Sequence, residues 1–116
     1  MKLPATFDDL ISKAKGEDLY LKLVGQLNKD LNLANIDLQF DEEILPSSLK
    51  FMLHETIFGL IQDKFADYLN FLYIIDVPEA KIKKLDGSDL VRLSEEVTFL
   101  VLQREWQKVW LKATLS

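Results

Sequence analysis

Residues 49–75 read LKFMLHETIFGLIQDKFADYLNFLYII, with no proline and a single glycine, Gly59. Glu55, Gly59, Gln62, Asp63, Ala66, Asp67 and Asn70 fall on one stripe at about 100° per residue, and nearly every other position is apolar. A helix that is apolar around most of its circumference has to be covered on more than one side. Pro46, Ser47 and Ser48 supply its opening. The pattern predicts one central helix from Pro46 to about Ile75, and an all-α chain packed around it.

Upstream, Thr6 stands three residues before Asp9 in a capping-box pattern, and Phe7, Leu10, Ile11 and Ala14 follow at helical spacing up to Gly16. A second helix is expected from Glu17 to Leu33, with Tyr20, Val24, Leu27 and Leu31 on one side and Asn35 as its C-terminal residue. Residues 36–45 differ: Ile36, Leu38 and Phe40 alternate with Asp37, Gln39 and Asp41. This is the one period-two run, and it predicts an extended segment that docks alternate side chains on the bundle or pairs as a strand with another chain.

Downstream, Asp76-Val77-Pro78-Glu79 carries a capping residue, a proline near the first helical position and a carboxylate in the first turn. A short helix to Leu85 and a turn at Asp86-Gly87 follow. The last helix is expected from Ser88 to about Lys112, with one seam of Leu90, Leu93, Val97, Leu100 and Leu111 and another of Phe99, Leu102, Trp106, Val109 and Ala113. The expectation is a single domain spanning 1–116, a compact bundle of four or five helices with one extended segment near residues 36–45.

Composition agrees with that reading. Leucine supplies 22 of the 116 residues, against 18 for Val, Ile and Thr together, and Gly plus Pro is only 7. Few breakers and little β-branching favour helix over strand. The chain has no cysteine, which excludes disulfides, thiolate nucleophiles and thiolate metal sites, and one histidine, which removes multi-histidine metal sites. A formal charge of -5 leaves too little Lys and Arg to neutralise phosphates, so no nucleic-acid partner is expected. Anionic lipid is disfavoured for the same reason. The densest apolar runs, 68–75 and 97–102, are too short to span a bilayer, and the opening residues do not read as a secretory signal. A cytoplasmic protein with no cofactor is expected.

The candidate chemistry is sparse. His54 falls on the apolar side of the central helix, in line with Ile61, Phe65, Tyr68 and Leu72. His54-Glu55 opens like the metalloprotease His-Glu-x-x-His pattern, but Phe58 occupies the second histidine position. Asp63 and Asp67 lie one turn apart on the polar stripe, without a converging partner to shift a pKa. The Ser-x-x-Lys matches at Ser12 and Ser47 lack the accompanying elements of acyl enzymes, and four isolated glycines make no phosphate loop. No catalytic or metal-ligating set can be assembled. His54, Tyr68 and Tyr73 define a candidate pocket between helices.

Three further groups bear on partners. Leu102, Trp106, Val109 and Trp110 on the last helix, with Phe40 on the extended segment, form a candidate interface, the alternative being that Trp106 lies in the core seam with Trp110 partly covered. Arg104, Lys108 and Lys112 stand beside the tryptophans, against Glu105. Asp37, Asp41, Glu42 and Glu43 form the strongest charge run and suit contact with a basic partner.

The stretch Tyr68–Glu79 (YLNFLYIIDVPE), with Gln103–Val109 (QREWQKV) near the end, resembles the C-terminal half of small uncharacterised helical proteins of bacteria. That resemblance implies a bacterial cytoplasmic protein and brings no activity and no catalytic residue. The reading that follows is a non-enzymatic interaction or assembly module, a homodimer through helical apolar seams of the last or the central helix. Its alternatives are an acidic inhibitor or chaperone of a basic protein, and a small-ligand sensor at His54.

Overall fold

The Thr6 hydroxyl accepts the Asp9 amide at 3.1 Å and starts the first helix, α1 (Phe7–Gly16), in a computed structural model that describes residues 2–115. Five more follow: α2 (Tyr20–Leu33), α3 (Pro46–Asp63), α4 (Phe65–Ile75), α5 (Glu79–Lys83) and α6 (Leu90–Leu115). There is no strand among the described residues, and the fold is all-α.

Three helices end in the same way. After α1 the Leu19 amide bonds the Ala14 carbonyl and the Asp18 amide bonds that of Lys15. Ile36 and Asn35 repeat the pattern on Leu31 and Asn32 after α2, and Val77 and Asp76 repeat it on Leu72 and Tyr73 after α4. Each is a Schellman end whose turning residue sits in the left-handed region: Asp18 at φ 57°, Asn35 at φ 57° and Asp76 at φ 69°. Asn and Asp tolerate that region better than other residues with a Cβ, so these ends form without glycine. Because Asp18 turns the chain, α2 opens at Tyr20 and not at Glu17. Asp76 closes α4 in the same way and does not open α5, which starts after Pro78.

The expected central helix is two helices. Lys64 stands at φ −141°, ψ 61° between α3 and α4, which raises the count to six. No proline or glycine marks the break. Thirty residues in one rod would run to roughly 45 Å, whereas the longest extent of the molecule is 37 Å. Breaking at Lys64 returns α4 to the body, where Phe71, Leu72 and Ile75 join the core.

α3 contributes Leu49, Leu53, Ile57 and Leu60 to that core, one stripe at i+4 and i+3 spacing. α6 lies against it with Val97, Val101, Leu102, Trp106 and Val109 buried, and also reaches α1, α2 and α4. Buried residues thus come from both predicted seams of the last helix. The segment 36–45 forms neither helix nor strand, and it is not extended throughout as expected: the Ile44 amide bonds Asp41 O at 3.0 Å, which turns the chain at Glu42-Glu43. Asn28 of α2 satisfies it instead: its side-chain amide donates to Phe40 O at 2.9 Å and accepts the Phe40 amide at 2.7 Å. The Tyr20 hydroxyl donates to Ile44 O at 2.6 Å. Phe40 is thereby seated in the core.

Candidate functional site

The candidate interface on the last helix is interior. Leu102, Trp106 and Val109 are buried between α6 and its neighbours, and Phe40 of the 36–45 segment is buried as well. Only Trp110 keeps part of its surface, over a hollow shared with Lys13 and Glu17. The physical reason is that α6 is covered by four helices, so both apolar seams are used within the chain.

His54, Tyr68 and Tyr73 do not share a pocket. A continuous helix would stack residues 54, 61 and 68 on one face; the break at Lys64 turns that face aside. Tyr68 is buried, and burial pushes its hydroxyl up from the ordinary value. Tyr73 is 83 % exposed and lines a different hollow. Asp37, Asp41, Glu42 and Glu43 are all exposed, with Asp41 Oδ1 accepting the Glu43 amide at 2.8 Å. Among the described residues no three His, Cys, Asp or Glu side chains stand together as metal ligands would.

His54 belongs to a groove of about 500 Å³ between α3, α6 and the start of α1. Ser47, Lys50, Phe51 and His54 form one wall, Glu95, Thr98, Phe99 and Leu102 the other, and Phe7 closes one end. The Lys50 ammonium lies 4.8 Å over the Phe7 ring, a cation–π contact. His54 Nε2 is 2.7 Å from the Ser94 hydroxyl oxygen, which in turn donates to Val91 O at 2.8 Å.

A second surface lies on α4. Phe65, Leu69 and Tyr73 recur every four residues and are 54 %, 50 % and 83 % exposed. Beside this ridge is a hollow of about 390 Å³, lined by Leu69, Leu72, Tyr73, Val77, Pro78 and Ile82 among others. The acids at its edge are paired internally: Asp76 with Arg104 at 2.9 Å and Glu79 with Lys83 at 3.1 Å.

A charged cluster that sequence reasoning missed joins α2 to α6. Lys108 Nζ is 2.8 Å from Asp30 Oδ2 and 2.6 Å from Glu105 Oε1, and Asp30 also accepts Gln26 Nε2 at 3.1 Å. Glu105 is fully enclosed, with Lys108 Nζ 2.6 Å from its Oε1. Burial, reinforced by the neighbouring Asp30, pushes Glu105 up to about 9, so it carries its proton at neutral pH. Burial opposes ionisation of Asp30 as well, but hydrogen bonds from Glu105, Lys108 and Gln26 outweigh it and hold Asp30 below the usual carboxylate range. The signal was present in the periodicity. Asp30 follows Leu23 and Leu27 at helical spacing, and Glu105 lies between Val101 and Val109 on the buried stripe.

The chain matches no protein-family model, no curated protein and no solved structure.

Proposed function

We propose that this protein is a non-enzymatic interaction module that pairs with a second copy of itself through the α4 face. The observation that carries the reading is the ridge Phe65, Leu69 and Tyr73, left uncovered by the rest of the chain. A large exposed apolar patch on a small domain marks a contact surface. Here ridge and hollow share one patch, with Leu69 and Tyr73 belonging to both. That arrangement is self-complementary under a two-fold axis: the ring of one copy enters the hollow of the other. The internal pairing of Asp76 and Glu79 keeps the net negative charge of the chain from concentrating there.

The test is absolute mass by light scattering after size exclusion, over a hundredfold dilution. A dimer that dissociates on dilution is expected. Tyr73→Glu places a carboxylate on the ridge without touching the core, so it should give a folded monomer at all concentrations. A wild-type chain that is monomeric throughout, or a Tyr73→Glu dimer as tight as wild type, overturns the reading.

A further inference from the structure

The groove at His54 is separate from the α4 face and carries its own chemistry. The Ser94 hydroxyl has one proton and two close neighbours, Val91 O at 2.8 Å and His54 Nε2 at 2.7 Å. A carbonyl oxygen only accepts, so the hydroxyl proton goes to Val91 and Nε2 must donate to the hydroxyl oxygen. In the neutral ring that assignment leaves Nδ1 bare, as an acceptor. No described residue hydrogen-bonds it. Glu95, the residue after Ser94, is exposed and lines the same groove. The groove therefore offers two acceptors, a ring nitrogen and a carboxylate, with the Lys50 ammonium as its one cation. Phe51 and Phe99 line the groove, and aromatic rings attract cations over their faces. The one lysine of the groove, Lys50, is held over Phe7 a helical turn before His54.

We propose that this groove binds a primary amine attached to an aromatic or branched apolar body. The ammonium donates to Glu95 and to His54 Nδ1, and the body lies between Phe51 and Phe99. A carboxylate of the same shape meets two acceptors and is rejected.

The test titrates the ¹⁵N-labelled full chain with 2-phenylethylamine and, separately, with 3-phenylpropionate, which has a similar body and the opposite charge. The amine should saturate with a dissociation constant on the order of a millimolar, shifting amides of α3 and α6 that border the groove. Glu95→Gln, a surface change, should weaken it roughly tenfold by removing the charge-assisted bond. Equal or tighter binding of 3-phenylpropionate overturns the proposal, as does an unchanged affinity in Glu95→Gln. So does the absence of shifts with either probe, or shifts centred on the acidic 37–43 loop.

Discussion

The Lys108 ammonium of α6 reaches Asp30 of α2 at 2.8 Å, inside a contact where Asp30 is almost wholly enclosed. It is the one cation that faces this carboxylate at contact distance among the described residues. Its removal leaves a buried negative charge next to a second carboxyl.

Lys108→Met should therefore cost about 3–5 kcal/mol at neutral pH, the usual penalty for breaking one side of a buried pair. Converting all three members together (Asp30→Leu, Glu105→Leu, Lys108→Met) should recover most of that loss, because burying two ions is itself expensive. Urea denaturation of both variants measures the difference.

Glu105 makes stability fall with rising pH. Its folded pKa of about 9 exceeds the unfolded value of 4.5, so the folded chain binds the extra proton between them. The stabilising contribution is complete below 4.5 and is lost progressively up to about 9. Asp30 acts oppositely: its contribution is present above 3.8 and is lost as pH falls below that. Glu105→Gln stays neutral at every pH, so it should be more stable than wild type near neutrality and should flatten the alkaline slope. Unfolding midpoints measured across this range report both effects.

Asn28 replaces a strand partner for residues 36–45. Asn28→Ala should cost about 1–3 kcal/mol, since two backbone groups of Phe40 lose their bonds. Hydrogen exchange at the Phe40 amide should accelerate more than exchange in α3 or α6.

Asn35 turns the chain at φ 57° on the exposed end of α2. Asn35→Gly should leave stability unchanged or raise it by about 0.5–1 kcal/mol, as glycine adopts that region without a Cβ penalty. Asp76→Gly should gain less, because Asp76 also accepts Arg104 Nη2 at 2.9 Å. Thermal unfolding of the two variants separates the backbone effect from the ion pair.

Much of the fold was legible because helical periodicity is local. The cap at Thr6, the C-terminal turn at Asn35 and the break from helix after Asn35 all followed from neighbours a few residues away. The break at Lys64 was not legible. No local breaker stands there, and the contacts the break allows α4 to make are with α2 and α6, far away along the chain. The same break separated His54 from Tyr68 and Tyr73 and so divided the expected pocket. A core position for Trp106 was one reading of the helical wheel, but choosing it over an interface depended on how many helices cover α6, which the wheel does not contain.

Local pattern, then, determined by itself that this chain is helical, where most helices begin and end, and that one segment near residues 36–45 leaves the helical pattern. Each of those follows from backbone and side-chain preferences over one or two turns. Only the tertiary structure decided which apolar faces are consumed inside and which remain outside, that Asp30, Glu105 and Lys108 meet, and that His54 faces a groove. Burial and electrostatic coupling depend on neighbours tens of residues away, and their energies exist only once the helices have packed.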